Sequence, residues 1–314
     1  MPADSVRQSA SADVPPTWVG TLLGVHDTTQ ERGGPGADGL RIARGVDFTL
    51  VTATIPDAVD LPREALQQRV SDAYEAVLET VAAEGRHAIR FWNFIPRLHT
   101  AMASGLDRYM VFNSGRFLAY SRRASTPGAL ARALPTASGV GSSASALTIH
   151  CLAGPMPGRS IEHPRQIPAY QYSFRYGPHP PCFARATLVA MPGDGEPRLL
   201  VGGTASVRGE DSMHDARLAA QVDETLANLA SIVSAAAAAI GSERGAPAPE
   251  TSVADSLRCF TDLRVYLPRL EDRPEALALL APRFPGVSQI EVVPADLCRR
   301  ELVVEIEGVA APRG

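Results

Sequence analysis

The chain of 314 residues contains no lysine, so all 30 of its Lys and Arg positions are arginine. An imine with a carbonyl substrate or with pyridoxal phosphate needs a lysine amine, and the GxxxxGKS/T phosphate loop needs one too. These enzyme classes are therefore excluded. Arginine stays charged and holds carboxylates through a planar fork, so it suits an anion clamp and not a general base.

The sequence also lacks the patterns that hold metals or span membranes. Its four cysteines include no CxxC pair, and its seven histidines show no HExxH or HxH spacing. We therefore expect free thiols and no metal site. No secretion signal opens the chain, and the longest apolar run, 232–240, is too short to cross a bilayer. The net charge of -4 gives no basic field for nucleic acid. A cytoplasmic protein that binds neither nucleic acid nor membrane is predicted.

The order of predicted elements indicates two related halves. Apolar residues recur at helical spacing over 61–84, and a strand follows over 87–95 and ends at Pro96. The second half repeats this order, with a helix over 215–240 and a strand over 258–267 before Pro268. The sequences FIPRL and YLPRL follow the two strands, which favours an internal duplication.

Mixed helices and strands in this order favour α+β domains with helices on one face of a sheet. We predict a disordered lead-in over 1–16, a first domain over 17–153 and a second domain over 154–314. A helix over 102–123 and a short helix over 127–134 complete the first domain.

The C-terminal run from Cys298 to Gly308 is rich in carboxylates. A strand predicted over 302–309 places Glu305 and Glu307 on one face, in line with Glu301 and Val303. The simpler interpretation is a half-buried strand with its carboxylates in water. In the functional interpretation, one carboxylate faces a cleft and delivers a proton.

Three further clusters combine arginines, aromatic residues and glycines. Residues 107–116 predict a helix that carries arginines, either on the surface or toward an anion. The aperiodic stretch 170–186 interleaves tyrosines with arginines, which suits a planar anionic ligand or a proline-rich connector. Residues 202–209 predict a strand that passes close to a ligand or another backbone, because glycine leaves room there.

Two other catalytic patterns receive little support. The run GVGSSA over 139–144 is similar to the phosphate loop of GHMP-type small-molecule kinases, which feeds a helix N-terminus. Here it continues into residues 147–152, which predict a strand, so the match is disfavoured. The absence of a GxSxG elbow argues against an α/β-hydrolase.

Taken together, the clusters resemble the chorismatase family, bacterial enzymes that remove the enolpyruvyl group of chorismate. The resemblance covers about residues 90–308 and rests on these segments: RFWNFIP (90–96), RY and NSGR (108–116), PRQIPAY (164–170), FARA (183–186), GTAS (203–206), CR (298–299) and VEIE (304–307). It implies two YjgF-like α+β domains in a pseudo-trimeric arrangement, the first degenerate and the second carrying the active site. A monomer without metal or organic cofactor is expected.

The resemblance also implies roles for individual residues. Glu305 is the expected proton donor to the enolpyruvyl ether of chorismate. Two arginines, Arg185 and Arg116, are expected to hold its carboxylates. The residues expected beside its ring are Tyr172 and Tyr176.

Products divide the family into two branches. Members that resemble 3-hydroxybenzoate synthases carry a Cys seven residues before the Glu, as Cys298 stands before Glu305, and a Gly in the stretch that holds Gly203 and Gly209. We therefore predict 3-hydroxybenzoate and pyruvate as products. The alternatives are a chorismate hydrolase, which gives a dihydrodiol acid and pyruvate, and a non-catalytic YjgF-like protein that binds a small carboxylate.

Overall fold

The computed structural model describes residues 13–24, 27–31, 39–124, 126, 128, 130–131, 134–191, 196–245 and 251–313. They form two compact units. The first unit contains Asp13–Gly158 and Ala169–Ala184, and the second contains Arg159–Pro168 and 185–313. Most of the predicted lead-in, 1–12, lies outside the described residues, as do parts of the predicted helix over 127–134.

Within the described residues the chain crosses between the units three times, whereas the sequence predicts a single boundary after residue 153. Residues 169–184 group with the first unit, which they contact at two places. The backbone N–H of Ala184 donates to the Pro135 carbonyl at 3.1 Å. Gly177 lies so close to the Met110 side chain that an added Cβ would sit 3.2 Å from it.

The first unit is a six-stranded sheet with two long helices. Its strands lie in the order β1-β2-β3-β6-β4-β5. Among the strands in the described residues of this unit, only β4 and β5 pair in parallel. The elements in chain order are α1 (Thr17–Leu23), β1 (Asp27–Glu31), β2 (Leu40–Arg44), β3 (Thr49–Ile55), α2 (Arg63–Ala83), β4 (His87–Pro96), α3 (Arg108–Arg123), β5 (Thr136–Ser142) and β6 (Leu147–Gly154).

The second unit has its own six-stranded sheet, in the order β13-β12-β14-β9-β8-β7. A two-stranded hairpin, β10 with β11, follows β9. The elements are β7 (Arg159–Ile161), β8 (Ala186–Ala190), β9 (Pro197–Ala205), β10 (Val207–Arg208), β11 (Asp211–Ser212), α4 (Leu218–Glu243), α5 (Val253–Arg258), β12 (Phe260–Leu267), α6 (Arg273–Leu280), β13 (Ile290–Pro294) and β14 (Glu305–Ala310).

The two sheets have the same topology. In each, the third strand pairs with the sixth, the sixth with the fourth, and the fourth with the fifth in parallel. A bulge interrupts the pairing of fourth and sixth strands at the same place, between Ala88 and Arg90 in one unit and between Phe260 and Asp262 in the other. Because bulges are specific features of a fold, the shared bulge supports the duplication that FIPRL and YLPRL predict.

Each unit buries the helix-facing side of its sheet. The predicted apolar positions of α2 are all buried: Leu66, Val70, Ala73, Val77 and Val81. They pack with the alternate β6 residues Leu147, Ile149, Cys151 and Ala153 in one apolar cluster. Burial of each large side chain contributes about 1.5–3 kcal/mol. The opposite face of each sheet therefore carries the polar side chains.

Two predicted boundaries shift for local reasons, and one alternative interpretation is removed. The helix predicted from residue 102 begins at Arg108, because the Asp107 carboxylate caps it by accepting from the Met110 N–H at 2.8 Å. The strand predicted over 302–309 begins at Glu305, since the Val303 N–H donates to Gln221 Oε1 instead of a neighbouring strand. The run 139–144 lies largely in β5 and leads to no helix, which removes the kinase interpretation.

Helix α4 is long and apolar enough, by length and composition, to cross a membrane. It serves as the core helix of the second unit, because Leu226, Leu229, Ile232 and Val233 pack in the apolar cluster beneath the sheet. Its 26 residues also extend well beyond the apolar run over 232–240.

Candidate active site

Glu305 is the first residue of β14 and is only 4 % exposed. It pairs with Tyr266 on β12 and Ala205 on β9. The next residue, Ile306, belongs to the apolar core beneath the sheet, so Glu305 lies on the opposite face. Its carboxyl group thus stands on the polar side of the sheet, in the middle of three strands.

Arg185 immediately precedes β8, and Gly202 and Gly203 lie in β9, the strand between β8 and the β14 strand that carries Glu305. Ile306 pairs with Thr204 and Gly308 with Val201, so Gly202 and Gly203 together lie opposite Glu307 in a β-bulge. The N–H of Gly202 donates to the Arg185 carbonyl at 2.9 Å. The bulge therefore brings Arg185 alongside β9, the strand that pairs with Glu305. Gly203, as a glycine, has no side chain that could stand between Arg185 and Glu305.

Cys298 lies in the connection from β13 to β14 and is partly buried. Burial and then the nearby Glu305 carboxylate raise the pKa of its thiol to about 12, although the charges of Arg299 and Arg185 oppose the shift. The thiol is therefore neutral at pH 7. Since both Glu305 and Arg185 lie close enough to shift this pKa, the structure brings three of the predicted site residues together.

A buried glutamine fixes the segment that leads from Cys298 to Glu305. Gln221 on α4 is fully buried; its side-chain amide donates to the Glu301 carbonyl at 2.7 Å and accepts from the Val303 N–H at 2.9 Å. The Glu301 carboxylate accepts from Ser212 Oγ at 2.7 Å. Glu301 therefore holds the hairpin and is not part of the strand face where the sequence predicts it.

Helix α4 carries part of a charged network that was not predicted from the sequence. Glu224 is 7 % exposed and accepts from Arg165 at 2.6 Å and Arg208 at 2.9 Å. Arg165 also donates to Asn228 Oδ1 at 2.8 Å. A signal was present: four polar residues recur at helical spacing within an apolar helix, and all are buried, namely Gln221, Glu224, Thr225 and Asn228.

Gly209 has a different place from Gly203. Its backbone pairs with the segment that carries Arg165, because its N–H donates to the Arg165 carbonyl and its own carbonyl accepts from the Ile167 N–H. Its φ of 61° lies in the left-handed region that favours glycine. Gly209 therefore anchors the 165–167 segment, whereas Gly203 lies on the strand beside Glu305.

The anchored segment in turn supports Arg185, whose Nη2 donates to the Ile167 carbonyl at 3.2 Å. Two titratable groups that the sequence analysis missed lie near this guanidinium. Burial raises the pKa of Glu162 although Arg185 opposes the shift. Burial and then the Arg185 charge lower the pKa of His163 to about 4, so this imidazole is neutral at pH 7.

The other predicted substrate contacts belong to the first unit. Arg116 on α3 is 2 % exposed, donates to Asn113 Oδ1 at 2.8 Å and lies over the rings of Phe112 and Phe183 at 5.2 and 5.5 Å. Its guanidinium therefore contacts two aromatic rings. Within the described residues, no hydrogen bond or ion pair joins it to a carboxylate.

The rings of Tyr172 and Tyr176 lie against each other in the first unit. Their ring centroids lie 5.0 Å apart at an angle of 41°. Arg175 lies over the Tyr176 ring at 4.8 Å and donates to its hydroxyl at 2.8 Å. The two rings and this guanidinium form one aromatic and cationic surface.

No three His, Cys, Asp or Glu side chains gather to hold a metal ion within the described part of the chain. The four cysteines, Cys151, Cys182, Cys259 and Cys298, are free thiols, as predicted.

Comparisons with known proteins identify the family. Residues 26–153 match the family model described as chorismatase FkbO/Hyg5-like, N-terminal. A chorismatase of Streptomyces rapamycinicus is 30 % identical over 277 residues, which cover 87 % of this chain and 78 % of that protein. A 3-hydroxybenzoate synthase of Streptomyces hygroscopicus is 31 % identical over 290 residues, which cover 91 % and 79 %. The chain belongs to the chorismatase family.

A solved structure agrees with this assignment. The crystal structure of a chorismatase at 1.08 Å resolution matches with a TM-score of 0.75 at 25 % identity, covering 91 % of this chain and 79 % of that one. The predicted fold, α+β with two related domains, is confirmed by this match and by the repeated sheet topology. The chorismatase relatives support an enzyme that acts on chorismate.

Proposed function

We propose that this chorismatase-family protein converts chorismate to 3-hydroxybenzoate and pyruvate. The observation that carries the proposal is the placement of the Glu305 carboxyl, the Cys298 thiol and Arg185 around one point of the second unit's polar sheet face. One relative, 31 % identical over 290 residues, is named 3-hydroxybenzoate synthase. A buried acid beside an arginine suits a substrate that must be protonated and is itself an anion.

The first step is protonation of the substrate's enolpyruvyl ether. The Glu305 carboxyl gives its proton to the methylene carbon, which becomes a methyl group, and the ether-bearing carbon becomes an oxocarbenium ion. Glu305 must enter the complex protonated. The substrate's own carboxylates favour that form, because they add negative charge beside the acid. Arg185 holds one of these carboxylates through its planar fork.

The second step decides the product. In the proposed route, the neighbouring ring hydroxyl supplies the electron pair that displaces the ether oxygen, and that oxygen leaves with the former enolpyruvyl carbons as pyruvate. The bond between the attacking oxygen and its original ring carbon then breaks, so the oxygen stays on the carbon that carried the ether. Loss of the hydrogen on that carbon gives aromatic 3-hydroxybenzoate and returns a proton to Glu305. The products together contain the atoms of chorismate, so no water is consumed.

Cys298 and Gly203 support this route over hydrolysis. A neutral thiol that is partly buried beside the acid is a poor partner for an attacking water. Gly203 leaves space at the bulge, which lets the ring approach the sheet closely. In the alternative, water attacks the oxocarbenium ion and gives a dihydrodiol acid with pyruvate. Arg116, Tyr172 and Tyr176 stay predictions as substrate contacts, as do the monomeric state, the cytoplasmic location and independence of cofactors.

The test is incubation of the purified protein with chorismate. We expect stoichiometric pyruvate, followed by coupled reduction, and 3-hydroxybenzoate, identified by mass. The hydrolytic product is heavier by one water molecule, so the same spectrum separates the two routes. Binding of chorismate without pyruvate release would instead support a non-catalytic carboxylate-binding protein.

A further inference from the structure

Because the two sheets share one topology, each position around Glu305 in the second unit has a counterpart in the first unit. Tyr266 faces Glu305 across the fourth and sixth strands of the second unit, and Phe94 faces Thr148 across those of the first. Phe94 and Tyr266 begin the matched sequences FIPRL and YLPRL. Thr148 therefore occupies the position of Glu305.

The arginine beside the acid also has a counterpart. In the second unit, Arg185 lies opposite Gly202, on the strand adjacent to Glu307. In the first unit, Arg41 lies opposite Thr52, and Thr52 lies opposite His150. His150 stands two residues after Thr148, as Glu307 stands two after Glu305. The first unit thus keeps an arginine at the position of Arg185 but has a threonine in place of the acid.

A cavity of about 400 Å³ lies over this part of the first sheet. Its floor consists of two adjacent rows of residues, each row running across neighbouring strands of the sheet. The described residues that line the cavity are Gln30, Arg41, Thr52, His150, Gly39, Thr54, Thr148, Pro56 and Asp13. This volume falls within the range of small-molecule pockets, about 300–1,000 Å³. Its lining combines one guanidinium with amide, hydroxyl and imidazole groups.

Internal hydrogen bonds fix two of these groups. The Asp13 carbonyl can only accept, so His150 Nε2 donates to it at 3.1 Å, and His150 Nδ1 accepts from the Thr52 hydroxyl at 2.8 Å. The Asp13 carboxyl accepts from Ser142 Oγ at 2.6 Å. The cavity therefore has a rigid side with an acceptor at Asp13, and an exposed arginine on another strand.

We propose that this cavity is a second binding site, which takes a small hydroxylated carboxylate of the same class as the enzyme's substrate and product and does not transform it. Arg41 holds the carboxylate, and the ligand's hydroxyl group faces Asp13 and the threonine hydroxyls. Thr148 cannot replace Glu305 as a proton donor, because an alcohol holds its proton too tightly. The choice of ligand class rests on the proposed function.

Calorimetric titration with 3-hydroxybenzoate, a ligand that cannot turn over, tests the site. We expect two sites per chain in the wild type. Arg41→Gln should weaken one of them about tenfold or more, since it removes a charge-assisted hydrogen bond, while initial rates of pyruvate release stay unchanged. Thr54→Val, which removes one lining hydroxyl and keeps the volume, should weaken the same site. Arg123→Gln, an exposed arginine of the same unit outside the cavity, should change neither site.

A single site in the wild type, or a titration that Arg41→Gln and Thr54→Val leave unaltered, would overturn the inference. These outcomes differ from failure of the proposed function, which is absence of pyruvate from chorismate. An active enzyme with one site would contradict only the second site.

Discussion

Glu305 stands directly opposite Tyr266 across β14 and β12, on the sheet face away from the helices. Glu305→Gln keeps the shape and a hydrogen-bonding side chain but supplies no acidic proton. We expect pyruvate release to fall by about 10²–10⁴-fold, the range that general acid catalysis contributes. Steady-state assays with chorismate give the rate, and circular dichroism checks the fold.

Glu301→Gln provides the matched control, because Glu301 lies four residues earlier and its carboxylate only accepts from Ser212. We expect this variant to keep nearly full turnover. Equal losses in the two variants would remove Glu305 from its catalytic role, since a shared effect would come from the fold of the segment.

Arg185 donates to the Ile167 carbonyl, and its backbone pairs with Gly202. Arg185→Gln should raise KM for chorismate by about 10-fold or more, since a charge-assisted hydrogen bond to a carboxylate contributes about 1.5–3 kcal/mol. Arg283→Gln, which changes an exposed arginine of the same unit, should leave KM unaltered. Unchanged KM in Arg185→Gln would show that another group binds the carboxylate.

Cys298 combines a neutral thiol with close approach to Glu305. Cys298→Ala makes room beside the acid for a water molecule, so we expect part of the product to shift from 3-hydroxybenzoate to the dihydrodiol acid. Mass spectrometry of the products measures the ratio. If the ratio stays at the wild-type value while pyruvate is released at the same rate, Cys298 does not control the branch.

Local periodic patterns accounted for the elements that the sequence predicts well. Helix α2 follows from the spacing of its apolar residues, and β4 from an apolar run that ends at Pro96. Strand β3 was not predicted, because nearly every residue in it is buried and no alternation marks it. Long-range pairing, and not the local pattern, defines such a strand.

The same contrast between local patterns and long-range pairing applies to the candidate site. Glu305 could be predicted from an alternating strand pattern and the family resemblance. The partnership of Arg165 with Glu224 joins residues 59 apart in sequence, and that of Arg165 with Asn228 joins residues 63 apart. The one sequence signal for this network was the stripe of polar residues on the otherwise apolar helix α4, which indicates where Glu224 and Asn228 lie.

Glu224 pairs with two arginines while it is almost fully buried. Glu224→Gln leaves both guanidinium groups without their counter-charge, and removal of one partner from a buried pair costs about 3–5 kcal/mol. Since both arginines are partly exposed, water compensates part of this, and we expect a loss of about 1–3 kcal/mol in the free energy of unfolding. Chemical denaturation measures it. Asp223→Asn, at the adjacent exposed position of α4, should cost much less.

His163 is held in one neutral form by its two neighbours. Its Nε2 donates to the Asn228 carbonyl at 2.9 Å, and its Nδ1 accepts from the Arg165 N–H at 3.0 Å. A proton on Nδ1 would face that N–H, which agrees with a pKa lowered from 6.5 to about 4 by burial and by the Arg185 and Arg165 charges. Below pH 6.5, the unfolded chain therefore takes up a proton that the folded chain refuses.

Stability should consequently fall as the pH drops from 6.5 toward 4. Linkage gives a loss of about 2 kcal/mol between pH 7 and pH 5 from this residue. In His163→Gln, the amide can make both hydrogen bonds but does not titrate, so this variant should lose about 2 kcal/mol less than the wild type over the same interval. Denaturation curves of both proteins at the two pH values measure the difference. Parallel losses would show that His163 is charged in the folded protein, and that its neighbours rearrange to accept the proton.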